Sequence, residues 1–323
     1  MLSYSRSKVS LPRSKGEDGL VIIPGNSILT ISGSGPDSAN SISYVAESRP
    51  IIVGSFTGRA TVSFFENPAQ TLVPLPAKLV WEREIISKGG SDVFVIVLGG
   101  EPQIITFGGP KNDAAAAVTP TCKRKGADFV IAGYFTDELT YDLNTVNKKL
   151  IGQGMDGFIM RTNVDFSGEP TLWVFSGPGD DYARAVAVRY AENPLCDPTS
   201  IVVGGEYSNS LDLGGFAGGH LSGPGMFIVN IDLKSAAQQA SWATSIRSEQ
   251  TQFLGALALD CRSDRADLRS RDCSEADILV AGAFHGKDVD FGNGHLLTST
   301  GKSDIFLMKL CSNTDTSCAA IHP

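Results

Sequence analysis

The sequence predicts an all-β protein, a β-propeller of four-stranded antiparallel blades, and three observations support this prediction. Short runs rich in Val, Ile and Phe alternate with turn residues, and 35 glycines are spread over the 323 residues. Four such runs recur in a fixed order, and the order is repeated four times. Four strands per unit are typical of propeller blades, because a blade buries both of its faces only by stacking on its neighbours.

One repeated piece is a strand-like run with a glycine near its centre. It reads IIVGSF, FVIAGYF, IVVGGEY and ILVAGAF, and its glycines are Gly54, Gly133, Gly205 and Gly282. A second piece usually starts with aspartate and places bulky apolar residues after it; its copies start at Asp18, Asp92, Asp156, Gly225 and Asp304. Two further short runs lie between these pieces, so each unit supplies four strands.

The period of the repeat is longer than the roughly 40–50 residues of a usual blade, so the extra residues are assigned to loops. In the first unit the extra segment is 59–90, for which the other units show no counterpart. The clearest stretch, 277–310, is interpreted as the last strand of one blade, a linking turn and the first strand of the next. About four units are visible, which predicts either a closed four-bladed ring or a part of a larger ring.

The stretch 277–310 resembles the β-propeller repeat of the bacterial SBBP-type family. The matching features are Gly282-Ala283-Phe284, the D-F-G step Asp290-Phe291-Gly292 and, after a glycine turn, Asp304-Ile305-Phe306. Trp173 and Trp242 share a repeat position that is similar to a tryptophan-containing strand of that family. The resemblance implies a secreted or cell-surface protein with a binding or structural role, and it supplies no catalytic residues.

The chain is predicted to have three parts. Residues 1–16 hold four basic residues and no acidic one, which predicts a flexible leader; 17–310 form the repeat domain and 311–323 a C-terminal tail. The whole chain carries a formal net charge of −8, which argues against nucleic acid as a partner. No run of about 18 apolar residues occurs, so no membrane-spanning helix is expected.

Six cysteines bear on the compartment of the protein. Cys261 and Cys273 enclose one polar segment, and Cys311 and Cys318 enclose another, which suits two local disulfides in an oxidising environment. The pairing of Cys122 and Cys196 does not follow from the sequence. Free thiols and a zinc site are the alternatives, although these spacings are wider than the short Cys spacings of zinc sites.

Candidate chemistry is confined to turns and a few aromatic residues. Asp288 and Asp290 form a candidate calcium site, but a turn in which aspartate accepts backbone N–H bonds is the favoured interpretation. The repeated aspartates are interpreted in the same way, as structural residues where a strand begins; they include Asp92, Asp156 and Asp304. Trp173 and Trp242 are expected between blades, whereas Trp81 lies in the extra segment and is a candidate for a surface contact. No catalytic residue and no cofactor is predicted.

These features favour a non-enzymatic, extracellular or cell-surface β-propeller that mediates protein–protein contacts or builds a surface assembly. Its expected partners are other proteins, and the sequence identifies no ligand. Two alternatives remain open, because propellers also host enzymes. One is a hydrolase or lyase with carboxylates or histidines in the central channel. The other is a carbohydrate-binding propeller with aromatic residues exposed on one face.

Overall fold

The computed structural model confirms an all-β fold, with four antiparallel sheets arranged as a four-bladed β-propeller. The residues it describes are 19–23, 27–45, 49–66, 78–99, 101–121, 128–143, 146–191, 197–213, 219–234, 240–247, 252–260, 276–291, 294–311 and 321–322. These ranges contain no helix, and hence none that is long and apolar enough to cross a membrane.

A hairpin comes first in the described chain, and blade 1 follows it. The hairpin consists of β1 (Gly19–Ile23) and β2 (Ser27–Gly33). Blade 1 pairs, in order, β3 (Ser38–Val45), the first part of β4 (Arg49–Glu66), the last part of β5 (Lys78–Val97) and β6 (Gln103–Phe107). These strands are rich in the β-branched and aromatic residues that suit a half-buried or buried sheet.

Each of the other three blades also has a first, second, third and fourth strand that pair in this order. Blade 2 has β7 (Ala114–Pro120), β8 (Asp128–Leu143), β9 (Val146–Asn163) and β10 (Thr171–Phe175). Blade 3 has β11 (Asp181–Tyr190), β12 (Pro198–Tyr207), a small hairpin of β13 (Ser210–Asp212) and β14 (His220–Ser222), then β15 (Gly225–Asp232) and β16 (Ala240–Arg247). Blade 4 has β17 (Gln252–Asp260), β18 (Asp277–Phe284), a small hairpin of β19 (Val289–Asp290) and β20 (Leu296–Leu297), then β21 (Asp304–Leu310) and β22 (Ile321–His322).

Each blade carries a connecting hairpin between its second and third strands. In blade 1 it is formed by 59–66 of β4 and 78–86 of β5, and in blade 2 by the outer parts of β8 and β9. The pairs β13–β14 and β19–β20 are shorter versions of it. The expectation that 59–90 is a loop without a counterpart is therefore wrong. Its described part is strand, because β2 pairs along it and buries apolar residues against it.

The stretch 277–310 lies within one blade, because β18 and β21 are adjacent strands of the same sheet. Its interpretation as the boundary between two blades is therefore wrong. The register also explains the repeat, since the central glycine of the second strand always faces a phenylalanine of the third. The pairs are Gly54–Phe94, Gly133–Phe158, Gly205–Phe227 and Gly282–Phe306.

Gly205 shows why glycine is needed at this repeat position. A Cβ here would lie 1.9 Å from the carbonyl oxygen of Tyr182 and 2.6 Å from the ring of Phe227. The carbonyl comes close because the first strand bulges beside it, between Ala183 and Ala185. The same bulge recurs in the first strands of the other three blades. Each glycine therefore leaves room for the bulge on one side and for the phenylalanine ring on the other.

The blades stack face to face along the chain. We call the side of a blade that points to its successor the forward face, and the opposite side the rear face. At the first junction Val95 of blade 1 packs in one cluster with Phe158 and Met160 on the rear face of blade 2. Equivalent clusters join blade 2 to blade 3 and blade 3 to blade 4. The hairpin β1–β2 covers the rear face of blade 1 through Leu29 and Ile31, as the last two strands of a preceding blade would.

The two ends of this stack are blade 4 and the hairpin β1–β2. No apolar cluster among the described residues links blade 4 to blade 1 or to the hairpin β1–β2. Blade 4 takes its short fourth strand, β22, from the segment where the sequence predicts a tail. Residues 1–18 and 312–320 lie outside the described residues, so the flexible leader stays a prediction.

Candidate functional site

Three repeated aspartates of the third strands each hold the backbone segment that precedes them. Asp92, Asp156 and Asp304 each accept a hydrogen bond from a backbone N–H three or four residues earlier. The donors are the N–H groups of Lys88, Gln153 and Thr300, at 3.0, 2.8 and 2.8 Å. This is the structural role that the sequence indicates for them.

Two of these aspartates also meet a second buried aspartate, which comes from the next blade. Asp92 and Asp113 both approach Gly108: a Cβ there would lie 2.6 Å from Oδ1 of Asp92 and 2.8 Å from Oδ2 of Asp113. Asp156 and Asp181 form the equivalent pair at the following junction, where the charge of Asp156 acts on Asp181. All four side chains are at most 1% exposed. We call these two sets the junction pairs.

Burial sets the protonation of the junction pairs. Asp113 accepts the N–H groups of Gly109 and Thr136, whereas neither oxygen of Asp181 has a hydrogen-bond partner among the described residues. Burial, aided by the charge of Asp92, raises the pKa of Asp113 to about 7. Burial, aided by the neighbouring acids, raises the pKa of Asp181 to about 8. At neutral pH Asp181 is therefore mainly protonated.

The third junction lacks both members of the pair. Gly225 starts the third strand of blade 3, and Gln252 takes the place of the second aspartate in blade 4. The pair is thus present as a unit at two junctions and absent as a unit at the third. Since the junction pairs are closed to solvent, they present no carboxyl to a substrate.

The sequence reasoning found only one member of each junction pair. The second members, Asp113 and Asp181, directly precede or begin a run of small residues, and Asp37 stands at the same place in blade 1. An aspartate at that fixed repeat position was the available signal.

Trp173 pairs with Ile159, one residue after Phe158, whereas Trp242 pairs with Asn230, three residues after Phe227, so the prediction that the two tryptophans share a repeat position is wrong. Trp173 is buried in the core between blades 2 and 3, and Trp242 packs against the core between blades 3 and 4. Trp81 stacks on Phe64 in the connecting hairpin of blade 1, with ring centroids 5.7 Å apart. A partner contact at Trp81 stays a prediction.

The candidate calcium residues lie at the connecting hairpin of blade 4. The backbone N–H of Asp288 donates to Oγ1 of Thr298 at 3.0 Å, and the Thr298 hydroxyl donates back to the Asp288 carboxylate at 3.3 Å. Asp290 pairs in the backbone with Arg247 of blade 3. Within the described ranges no three His, Cys, Asp or Glu side chains group as metal ligands. The candidate calcium site at Asp288 and Asp290 stays a prediction.

Among the cysteines, Cys311 alone lies within the described residues, and it is disulfide-bonded. Its partner is outside those residues, as are Cys122, Cys196, Cys261, Cys273 and Cys318. The predicted pairs Cys261–Cys273 and Cys311–Cys318 therefore stay predictions.

A cluster that the sequence did not predict gathers side chains from blades 2, 3 and 4. Arg184 lies over Tyr182 at 4.0 Å from the ring centroid, and 5.6 Å from that of Phe253. Tyr134 packs edge-on against Tyr182, with centroids 5.1 Å apart. Glu206 forms a salt bridge with Arg184 at 3.5 Å. Tyr182, Arg184 and Phe253 lie on the neighbouring first strands β11 and β17, and Tyr134 and Glu206 lie on the second strands β8 and β12; we call this group the axial cluster.

Electrostatics and backbone contacts tie the axial cluster together. Burial raises the pKa of Glu206, and the charge of Arg184 opposes that shift. The Glu206 carboxylate also accepts the N–H of Leu254 in blade 4 at 2.9 Å. Phe253 remains 49% exposed, so the cluster offers an aromatic ring and a cation at the surface. The signal in the sequence is Tyr182-x-Arg184, which interrupts the small residues of the repeat.

Among the described residues, no apolar cluster packs on the forward face of blade 4. We call this face the open face; its members are Leu279, Ala281, Ala283, Ile305 and Leu307. Ile305 is 82% exposed and Leu307 50%. The residues that hold the positions of Leu279 and Leu307 in blades 1 to 3 are at most 1% exposed; they are Ile51, Val130, Val202, Val95, Ile159 and Ile228. A surface that forms core at three junctions is therefore exposed at Ile305 and Leu307 of blade 4 and partly exposed at its other three members.

No model of a known protein family matches the chain, and no curated protein matches it either.

Proposed function

We propose that the protein is a non-enzymatic β-propeller that acts as an interaction or assembly module, outside the cell or on its surface. The open face supports this proposal. Exposed apolar residues scattered singly are ordinary, but a contiguous apolar sheet face is typical of an interaction site. Ile305 and Leu307 stand on one strand of such a face, next to Leu279 and the two alanines.

The chemistry of the open face defines the partner. At the three junctions inside the chain a forward face packs against another apolar sheet face, so the proposed partner presents a flat, apolar β-sheet face. The bonded state of Cys311 and the acidic net charge suit an oxidising environment and a protein partner. The junction pairs do not favour the enzymatic alternative, because a general acid must reach its substrate.

The proposal is tested by comparing three versions of the full chain in cells of its own source. Wild type, Leu307→Asp and Ile151→Asp are tagged and isolated with their bound proteins, which are quantified by mass spectrometry. Ile151 is a matched control, since it is 70% exposed but lies on the connecting hairpin of blade 2. A partner retained by wild type and Ile151→Asp and lost from Leu307→Asp is expected. Identical sets of proteins on all three would contradict the proposal.

One observation favours a second candidate function, carbohydrate binding at the axial cluster. Sugars stack on aromatic rings, and this cluster combines the half-exposed Phe253 with Tyr182 and the cation of Arg184. Titration of the full chain with a panel of oligosaccharides tests it by calorimetry. Binding that Phe253→Ala abolishes and Ile151→Ala leaves intact would support this function; absence of binding across the panel would remove it.

A further inference from the structure

We propose that the open face of blade 4 is occupied by the open face of a second copy of this chain, giving a two-fold symmetric dimer. The inference rests on the proposed function, because it names the partner for the same surface. The inference goes beyond the proposed function because it assigns a self-association that needs no other protein.

The open face has a shape and composition that suit packing against a copy of itself. Its rows are formed by directly paired residues of β18 and β21, such as Ala283 with Ile305 and Ala281 with Leu307. Ala256 of β17 continues the second row and is exposed as well. The alanines leave shallow grooves between the larger Ile and Leu side chains, so two copies of the face can interlock. This is how facing sheets pack their side chains.

The charged side chains of the open face also suit pairing with a second copy. Within the rows of the open face, charges stand only at one end, where Lys309 binds Asp260 and Asp277 at 2.9 Å each. When two copies meet with antiparallel strands, these charged ends lie at opposite ends of the interface. The apolar rows then face each other without like charges in contact, which is the condition for a self-complementary interface.

Two surfaces of a second copy could cover the open face: its own open face or the rear face of its blade 1. A two-fold interface uses one surface twice, so it requires nothing beyond the residues that are bare in blade 4. The rear face of blade 1, the other natural complement of a forward face, is already covered by Leu29 and Ile31 of the hairpin β1–β2. The forward face of blade 4 in one copy therefore cannot pack against the rear face of blade 1 in another.

The association is tested first on the purified full chain. Sedimentation velocity over a range of concentrations is expected to show a monomer–dimer equilibrium in wild type and in Ile151→Asp. Leu307→Asp is expected to weaken the dimer by at least tenfold. Its thermal unfolding in dilute solution should stay as in wild type, because Leu307 is half exposed in a single chain. If Leu307→Asp fails to fold, Ile305→Asp replaces it, since Ile305 is 82% exposed. A wild type that is monomeric at every concentration would overturn the inference.

The geometry is tested by photo-cross-linking. A benzoylphenylalanine at position 305 is irradiated in an equal mixture of unlabelled and ¹⁵N-labelled full chain, and cross-linked peptides are identified. Peptides that join 277–310 of one copy to 277–310 of another, with mixed labels, are expected. Mixed-label links to 19–33 would overturn the inference in favour of a head-to-tail array. Links that carry a single label, without any mixed-label links, would overturn it in favour of closure within one chain.

The two proposals can fail separately. A monomeric chain whose cellular partner is lost in Leu307→Asp would end the dimer and leave the interaction module standing. A monomeric chain whose partners are unchanged in Leu307→Asp would end both.

Discussion

Replacing the buried carboxyl of Asp181 by an amide should stabilise the protein, but only at pH values above the mildly acidic range. Asp181 is fully buried, begins β11 and lies beside Asp156 at the junction of blades 2 and 3. Neither of its oxygens has a hydrogen-bond partner among the described residues. Asparagine has nearly the same shape, cannot ionise and can donate a hydrogen bond to Asp156.

The sign of the effect follows from proton linkage. Asp181 has a pKa of about 8 in the folded protein, against 3.8 for a free aspartate. Between these values the folded state keeps a proton that the unfolded chain releases, so wild-type stability falls as the pH rises from about 4 to about 8. A difference of about four pKa units corresponds to on the order of 5 kcal/mol. Asp181→Asn should therefore match wild type near pH 4 and exceed it by several kcal/mol at pH 8 and above.

The assay is urea unfolding of both proteins at a series of pH values, followed by tryptophan fluorescence. Trp173 and Trp242 lie in or against the cores on either side of blade 3 and report on it directly. Asp142→Asn is the control, since Asp142 is exposed on the connecting hairpin of blade 2. A gain of the same size at pH 4 and pH 8, or a loss at pH 8, would refute the account of the junction pairs.

Three further predictions test the packing and the covalent structure. Phe284→Ala should cost about 3–5 kcal/mol in urea unfolding, because Phe284 is buried between Phe291 and Phe306; unchanged stability would refute its core role. Gly205→Ala should lower the melting temperature strongly, since its Cβ would meet a backbone carbonyl at 1.9 Å, whereas Gly301→Ala, with open space around it, should not. Mass spectrometry without reduction should find Cys261–Cys273 and Cys311–Cys318 linked; free thiols at all four would contradict the extracellular assignment.

Much of the fold follows from local sequence signals. The strands of a blade could be predicted because three of the four have a pattern of their own: a small-residue run, a run with glycine, and a run that opens with aspartate or, in blade 3, with Gly225. The register confirms that these patterns belong together, since the glycine of the second strand faces the phenylalanine of the third in every blade. The number of units followed from counting those patterns.

The connecting hairpins and the blade boundaries could not be predicted in the same way. Residues 59–66 and 78–86 pair with each other and with β2, and this pairing is set by contacts between segments distant in sequence. The pairing of β18 with β21 likewise depends on the hairpin β19–β20, whose strands have only two residues each. Short strands give too little periodicity to be recognised in a sequence.

The candidate sites were hidden for a different reason. The open face consists of Ile, Leu and Ala residues that have the same pattern as the buried faces of blades 1 to 3, so a sequence cannot distinguish core from exposed surface there. The axial cluster brings Tyr134, Arg184 and Phe253 together from three blades. Only the stacking of blades 2, 3 and 4 makes them neighbours.

The exposure of blade 4 is tested most directly by hydroxyl-radical footprinting of the full chain. In dilute solution Ile305 and Leu307 should be oxidised readily, whereas Val95, Ile159 and Ile228, the counterparts of Leu307 in the other blades, should stay unreactive. At concentrations where the chain associates, Ile305 and Leu307 should become protected while the three counterparts do not change. Protection of Ile305 and Leu307 already in dilute solution would contradict the account, because it would mean that a single chain covers its own open face.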